Sequence, residues 1–251
     1  MIKRSEYGGI ILMKLGIITD VHNNVIALNS ILQLFEEKEC DEILCCGDII
    51  GIGPFPEETV QRIKSLGNIK CVLGNHEKYL VNGIKKPYPD GMDESEALHH
   101  RWEHSLLSDD SKQYIKQLPY MLQLDRANLK IAVVHYSISE DNRYINFMSE
   151  PDIADCEKMF SNIDADIILY GHDHMGSIVY GDNKIYINCG SLGCTSTNEG
   201  IAQGGILTID NQGPVFQKVF ARYDIKRVLE EINAIKYPAY KDIMKFFYGA
   251  K

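Results

Sequence analysis

Short apolar runs alternate with segments of helical periodicity through the first two thirds of the chain. The runs predict buried strands at 15–19, 43–46, 69–73, 129–134 and 166–170. Apolar residues spaced three and four apart predict helices near 25–35, 56–65 and 152–160, with Asn24 as the N-cap of the first. Strands that alternate with helices are typical of parallel βαβ units.

The last third of the chain has a different pattern, in which short strand-like segments flank turn sequences. Hairpins are predicted from 177–180 with 184–188 and from 207–209 with 215–220. The segment 189–205, rich in Gly, Ser and Thr, is predicted to be a loop, and two helices are expected at 224–235 and 240–247. The chain therefore predicts an α/β protein with a parallel first half and an antiparallel second half.

Residues 79–124 interrupt the strand and helix alternation. A polar loop precedes two predicted helices, 94–107 and 109–118. The first carries His99, His100, Trp102 and His104, which could reach a substrate. The preferred interpretation is an amphipathic helix with Trp102 packed on the body of the protein, and these histidines are not counted as metal ligands.

We predict one domain over 13–251, with a helical insertion at 79–124 and C-terminal helices at 222–251. Residues 1–12 are treated as an N-terminal extension without a function, because Met13 could be the true start.

Composition narrows the classes of protein further. The chain has 251 residues, 45% hydrophobic and 24% charged, as in an ordinary globular protein. A net charge of -9 argues against binding to polymeric nucleic acid, so an anionic substrate would need local positive charge. Seven irregularly spaced cysteines predict reduced thiols and a cytoplasmic location. No stretch has the length of a membrane helix, and no signal peptide is recognisable.

Polar residues with metal-binding side chains stand where the predicted strands end, at the edge where open α/β sheets bind ligands. They are Asp20, His22, Asp48, Asn75, His76, His135, His172 and His174. This mixture of imidazole, carboxylate and amide oxygen suits Mn, Fe, Zn, Ni or Co better than Mg alone. Because a carboxylate has two oxygens, Asp48 could bridge two ions. The alternative is that Asp20 and Asp48 only cap a helix and a turn, with His22 an ordinary exposed residue.

Five sequence blocks occur in a fixed order along the chain. They are Asp20-Val21-His22, Gly47-Asp48, Gly74-Asn75-His76-Glu77, His135 and Gly171-His172-Asp173-His174. In this order the blocks resemble the calcineurin-like metallophosphoesterase superfamily. The resemblance implies a four-layer α/β/β/α sandwich, in which two mixed β-sheets are flanked by helices.

The resemblance also implies a role for each residue. Asp48 would bridge two divalent ions, Mn being the expected choice in vitro, and His76 would stay off the ions and assist the leaving group. A hydroxide shared by two ions about 3.5–4 Å apart would attack the phosphorus in line. The first ion would be bound by Asp20, His22 and His174, and the second by Asn75, His135 and His172.

The loop after Asp48 narrows the substrate. It lacks the Gly-Asp-x-x-Asp-Arg-Gly signature of protein serine/threonine phosphatases. Its Gly-x-Gly-Pro-x-Pro sequence looks like the small bacterial and archaeal phosphodiesterase branch, some members of which cleave dinucleoside polyphosphates. Asn23 stands where relatives often carry glycine, and Asn tolerates a left-handed backbone. We therefore expect a hydrolase of small phosphodiesters or nucleotide phosphates that releases a phosphate product.

Other functions remain open from the sequence. Some relatives have lost ligands and act as protein-binding scaffolds, but every ligand position is filled here. The His-x-His of metallo-β-lactamases continues with Asp-His, whereas Met175-Gly176 follow here. A phosphomonoesterase or protein phosphatase is a further alternative, and a nuclease is disfavoured by the acidic charge. Loop residues that could decide the substrate are Phe55, Trp102, Tyr136 and Asn198.

Overall fold

The computed structural model describes residues 12–139, 143–145 and 148–250, with the backbone alone for residue 90. The predicted extension, residues 1–12, lies outside the described residues except for Leu12. The described residues form the strands β1 (Met13–Ile18), β2 (Glu42–Cys45), β3 (Ile69–Cys71), β4 (Met121–Arg126), β5 (Leu129–Val134), β6 (Ile167–Tyr170), β7 (Ser177–Tyr180), β8 (Ile185–Asn188), β9 (Ile201–Asp210) and β10 (Gly213–Arg222). They also form the α-helices α1 (Val25–Glu37), α2 (Pro56–Lys64), α3 (Asn75–Asn82), α4 (Glu94–Leu106), α5 (Asp109–Lys116), α6 (Ile153–Met159), α7 (Ile225–Ile235) and α8 (Tyr240–Tyr248).

The strands form two mixed sheets of five strands each. The first has the order β10-β9-β1-β2-β3, with β1, β2 and β3 parallel and β9 antiparallel to both of its neighbours. The second has the order β4-β5-β6-β8-β7, with β5, β6 and β8 parallel and both edge strands antiparallel. This architecture confirms the predicted α/β/β/α sandwich.

Side chains on the central strands alternate between two buried environments. In β1, Leu15 and Ile17 belong to the core between the sheets, whereas Ile18 packs under the helices of the first outer layer. In β6, Ile167 lies in the core between the sheets and Ile168 in the core of the other outer layer. Because each buried aliphatic side chain contributes about 1.5–3 kcal/mol, strands buried on both faces hold the strand ends firmly in place.

Helices cover both outer faces. On the first sheet α1 buries Leu28, Ile31 and Phe35, and the side chain of Asn24 caps it by accepting from the Ala27 backbone N–H, as predicted. Helix α6 covers the second sheet. Helices α7 and α8 form a separate apolar cluster that includes Ile52, a residue of the loop after β2. None of the helices in the described part of the chain is long and apolar enough to cross a membrane.

Three elements differ from the sequence prediction. Residues 121–124, expected at the end of the helical insertion, begin the edge strand β4, where Leu122 and Leu124 face the core between the sheets. Residues 201–205, expected in a loop, begin β9, because pairing with β1 and β10 supplies the strand despite the weak pattern of Gly204 and Gly205. Helix α3 starts directly at the Gly-Asn-His-Glu block and was not predicted.

Candidate metal centre

The ends of strands from both sheets meet at one site. Backbone hydrogen bonds join the loops that follow the strands: the Asp20 N–H donates to Gly47 O at 3.0 Å, and the Gly171 N–H donates to His135 O at 2.7 Å. The Leu192 N–H donates to Thr19 O at 3.0 Å, so the first sheet is tied to a loop that follows the second. All the predicted site residues lie within this region: Asp20, His22, Asp48, Asn75, His76, His135, His172 and His174.

The first group of polar side chains contains Asp20, His22 and His174. The Nε2 atoms of the two histidines are 3.0 Å apart, and Asp20 Oδ1 lies 3.7 Å from His22 Nε2 and 3.6 Å from His174 Nε2. Asp20 Oδ1 is buried and has no hydrogen-bond partner, whereas Asp20 Oδ2 accepts from Thr19 Oγ1 and the His172 N–H. A buried carboxylate oxygen facing two imidazole nitrogens is the geometry of an ion-binding site.

The second group lies beside the first and shares Asp48 with it. Asn75 Oδ1 is 3.0 Å from both His135 Nε2 and His172 Nδ1. Asp48 Oδ2 lies 3.2 Å from His135 Nε2 and 3.9 Å from His22 Nε2. The Asp48 carboxylate therefore stands between the two groups.

Hydrogen bonds behind these side chains fix which atoms face the centre. His22 Nδ1 donates to Ile50 O at 3.2 Å, and His135 Nδ1 donates to Cys46 O at 2.9 Å, so both Nε2 atoms are turned inward. The Asn75 Nδ2 lies 3.5 Å from Tyr79 Oη, which turns the amide oxygen toward the histidines. Orientation by a carbonyl behind the ring is the arrangement found around metal-binding histidines.

Burial and charge set the protonation of the centre. Burial, together with the nearby His174, lowers the pKa of His22 to about 4, so the His22 imidazole is neutral. Burial opposes ionisation of Asp48, yet His135 and His76 hold the pKa of this carboxyl well below its usual value. Burial also opposes the charge on His135, but Asp48 raises its pKa to about 9. A cation bound here would take the place of the His135 proton.

His76 faces the same centre from one side. Its Nε2 lies 3.7 Å from Asp48 Oδ2, and its backbone N–H donates to Asp48 Oδ1 at 3.1 Å. Burial holds the pKa of the imidazole well below its usual value. The other face of the ring packs against Gly51, where a Cβ atom would stand only 2.2 Å from His76 Nδ1. The ring therefore packs closely on Gly51, with Nε2 toward the centre.

Several site residues have the left-handed backbone that non-glycine residues rarely adopt. The φ angles are 52° at Asp20, 50° at His22, 51° at Asp48 and 73° at His172, and Asn23, at 53°, has the conformation expected of it. Each such residue costs about 1–3 kcal/mol, and these residues concentrate at functional sites. The strain turns the side chains toward one point at the ends of the strands.

Two buried glutamates, Glu77 and Glu103, accept hydrogen bonds from the loops of the centre. Neither had a predicted role. Glu77 accepts from the backbone N–H groups of Asp48, Ile50 and Gly74 at 2.7–2.9 Å, and burial raises its pKa to about 8. Glu103, on α4, is fully buried. It accepts from the Asn23 side chain, the Gly51 N–H and His100 Nδ1 at 2.8, 2.8 and 2.7 Å.

The histidines of α4 divide into structural and site residues. Trp102 stacks on Tyr237 with ring centroids 4.4 Å apart, as the packing interpretation predicts, and His99 Nε2 accepts from the Ile52 N–H at 3.1 Å. His100 is buried with its ring centroid 5.0 Å from that of His76, so it belongs to the site. Burial opposes its charge, but Glu103 raises the pKa of His100 to about 9. The i, i+3 spacing of His100 and Glu103 was the available sequence signal.

A cavity of about 320 Å³ opens beside the centre. Its lining includes residues of α4 and α8 and five predicted site residues: Asp48, Asn75, His76, His172 and His174. Four residues were expected to decide the substrate: Phe55, Trp102, Tyr136 and Asn198. None of the four is among the described residues that line the cavity.

Comparisons with known proteins agree with this picture. The calcineurin-like phosphoesterase superfamily domain matches residues 13–212. An uncharacterised protein of Methanocaldococcus jannaschii is 27% identical over 239 residues, which cover 89% of this chain and 93% of that protein. The crystal structure of a hypothetical protein from Pyrococcus horikoshii OT3 has the same fold, with a TM-score of 0.79 and 18% identity over 95% of this chain and 99% of that one. A symmetrical bis(5'-nucleosyl)-tetraphosphatase of Psychromonas ingrahamii is 40% identical over 67 residues, or 26% of this chain and 24% of that protein.

Proposed function

This chain belongs to the calcineurin-like phosphoesterase superfamily and is a phosphoric ester hydrolase, and we propose that it uses two divalent metal ions to hydrolyse small phosphodiesters or nucleotide phosphates. The observation that carries the proposal is the pair of ligand groups that meet at Asp48. One group has two imidazoles and a carboxylate, and the other has two imidazoles and an amide oxygen.

The donor atoms fit divalent transition metals. Imidazole nitrogens suit Mn, Fe, Zn, Ni and Co, and a carboxylate between the groups suits a bridge. The unpartnered Asp20 Oδ1 and the inward-facing Nε2 atoms of His22 and His135 supply ligand atoms for these ions. We assign the first ion to Asp20, His22 and His174, the second to Asn75, His135 and His172, and the bridge to Asp48. Mn is the ion to try first in vitro.

When bound, the two ions acidify water into a nucleophile and neutralise charge on the phosphoryl oxygens. The residues of the chain orient the reaction. Asp48, held by the His76 N–H and by the anchored loop around it, keeps the two ligand groups in register. The Nε2 of His76 faces the centre and donates a hydrogen bond to the departing oxygen. This hydrogen bond stabilises the negative charge that develops on that oxygen.

The family and its relatives support a small phosphorylated substrate. The tetraphosphatases that match a quarter to a half of this chain act on bis(5'-nucleosyl) tetraphosphates, which makes a dinucleoside polyphosphate one candidate substrate. An acidic chain without basic runs disfavours polymeric nucleic acid. The seven cysteines are unpaired, and six of them are buried, which supports a reducing compartment such as the cytoplasm.

The second candidate function is a protein-binding scaffold that keeps the fold with weak or no catalysis. The complete ligand set and the position of His76 beside Asp48 count against it, because a scaffold needs neither. A phosphomonoesterase or protein phosphatase uses the same type of centre, so it has to be separated from the phosphodiesterase by assay.

The test is turnover of metal-stripped protein reloaded separately with Mn, Ni, Fe, Zn or Mg. The substrates are p-nitrophenyl phosphate, bis-p-nitrophenyl phosphate and diadenosine tetraphosphate. Activity with Mn or Ni on the last two supports the proposal. Inactivity with every metal, at full metal occupancy, would make the scaffold the better explanation.

His76→Ala tests the mechanism in the same assay. We expect about 10²- to 10³-fold slower turnover with the metal content of the wild type, because only the donor to the leaving group is lost. His104→Ala is the matched control, since its side chain is 14% exposed against 13% for His76 and it lies outside the cavity lining. Undiminished turnover of His76→Ala would remove this role.

A further inference from the structure

The cavity beside the centre has an apolar wall formed by α8. Ile243, Phe246 and Phe247 line it, and the Phe247 ring centroid is 6.0 Å from that of His174. Phe246 is 59% exposed, so it has apolar surface that the described residues do not cover. A group attached to a phosphoryl bound at the centre would therefore meet aromatic and aliphatic carbon immediately beyond the ligands.

The polar part of the lining is acidic. Asp93, Glu96 and Asp242 all line the cavity, and no lysine or arginine is found among the described lining residues. Lys245 lies 5.2 Å from the Phe246 ring centroid but outside the lining. The one positive group of the wall, His100, is already hydrogen-bonded to Glu103 and lies 3.7 Å from Glu96. Beyond the metal ligands, the described lining therefore has three carboxylates against one imidazolium, His100, whose Nδ1 is bonded to Glu103 and whose Nε2 has no hydrogen-bond partner.

Carboxylates of this chain also stand at two helix N-termini beside the cavity. Asp93 caps α4 by accepting from the Glu96 N–H at 2.8 Å, and Asp242 stands in the first turn of α8. A helix N-terminus ordinarily attracts phosphate, but these two carboxylates already offset its partial charge. Both carboxylates therefore make these termini less favourable for a second phosphate.

We propose that this cavity is the leaving-group subsite of the enzyme and that it takes an uncharged apolar or aromatic group, so the preferred substrate is a single phosphodiester and not a polyphosphate. The proposal rests on the proposed function and narrows it. Each additional phosphate of a polyphosphate chain would bring negative charge toward Asp93 and Asp242, whereas an aryl or nucleoside group would pack on Phe246 and Phe247.

The experiment compares kcat/KM for bis-p-nitrophenyl phosphate, which has an aromatic leaving group, with that for diadenosine tetraphosphate on the Mn-loaded enzyme. We expect the diester to be preferred by about 10-fold or more. Raising the salt from low to about 0.5 M should increase the relative rate on the tetraphosphate, because salt screens its repulsion from the exposed carboxylates.

Two variants test the two properties of the wall separately. Phe246→Ala should lower kcat/KM for the aryl diester about 5- to 10-fold through a higher KM, since the contact is the same in the ground and transition states. Asp242→Asn should raise the ratio of kcat/KM on tetraphosphate to that on diester about 3- to 10-fold.

Each variant has a matched control. Phe220 on β10 is 57% exposed, as Phe246 nearly is, but lies outside the cavity lining. Asp109 stands in the first turn of α5, as Asp242 does in α8, and also lies outside the lining. Phe220→Ala and Asp109→Asn should change neither quantity by more than about 2-fold.

The outcomes separate this proposal from the proposed function. Preference for the tetraphosphate, or unchanged values in both cavity variants, would overturn the subsite while leaving the hydrolase intact. Absence of turnover on every substrate would overturn the proposed function. In that case calorimetry with phenylphosphonate decides whether the subsite exists. Binding of phenylphosphonate that is weakened by Phe246→Ala but not by Phe220→Ala supports the subsite. No binding, or equal binding to the wild type and to Phe246→Ala, overturns it.

Discussion

Glu103 offers the sharpest test of how the helical insertion supports the centre. Its carboxylate is fully buried and accepts three hydrogen bonds, from the Gly51 N–H, the Asn23 side chain and His100. These partners lie in the loop after β2, the loop after β1 and α4 itself. Replacing Glu103 by alanine removes the acceptor common to all three and leaves His100 as a buried charge without its partner.

The expected cost follows from these contacts. Each buried donor left without an acceptor costs about 1–3 kcal/mol, and breaking a buried ion pair by removing one partner costs about 3–5 kcal/mol in total. We therefore expect Glu103→Ala to lose about 3–5 kcal/mol of unfolding free energy. Glu103→Gln keeps an oxygen for Gly51 and Asn23 but loses the charge and the acceptor for His100 Nδ1, so its cost should be about 3 kcal/mol near pH 6.5.

The pH dependence gives a second readout. The pKa of His100 is raised to about 9, above the value near 6.5 that it has when unfolded, so its stabilisation is fully present below about pH 6.5 and is lost as the pH rises through about 9. The pKa difference corresponds to about 3 kcal/mol. Without the carboxylate in Glu103→Gln this contribution disappears, so the gap in stability between wild type and variant should narrow between pH 6.5 and 9.5.

The assay is urea unfolding of metal-free protein in chelator, followed by fluorescence of Trp102, the single tryptophan of the chain. Glu96→Gln is the control, because Glu96 lies on the same helix near His100 but is 49% exposed, and it should cost under about 1 kcal/mol. A loss below about 1 kcal/mol for Glu103→Ala, or a gap between wild type and Glu103→Gln that stays constant with pH, would refute the anchoring role.

Three further predictions concern the centre and the core. Asp48→Asn should lower the metal content of the protein at both positions, since the bridge loses its charge; wild-type content by elemental analysis would argue against a bridge. Gly51→Ala places a Cβ 2.2 Å from His76 Nδ1 at a φ of +93° and should cost more than about 2 kcal/mol and slow turnover, whereas Gly91→Ala, at +76° with open space, shows the backbone strain alone. Phe35→Ala should cost about 3–5 kcal/mol in urea unfolding without changing metal content, because the ring is buried in the apolar core under the first sheet, against Gly16; equal stability would contradict the packing described.

Local patterns in the sequence were sufficient for most of the fold. β5 and β7 have the predicted boundaries, and the short apolar runs of the other central strands were found because strands buried on both faces have a continuous apolar signal. Edge strand β4 and the first half of β9 were not predicted. Their strand structure depends on pairing with residues distant in the chain, which a local pattern does not record.

The sequence by itself determined the family and the eight candidate site residues, because each stands at the end of an apolar run within an ordered motif. Only the tertiary structure decided how they meet: His22 and His174 are 152 positions apart in the chain, yet their Nε2 atoms are 3.0 Å apart. The role of Glu103, 80 positions from the Asn23 that it holds, and the cavity between α4 and α8 likewise come from the packing of distant elements. Periodicity reports which face of an element is buried, but which elements become neighbours depends on the packing of the whole chain.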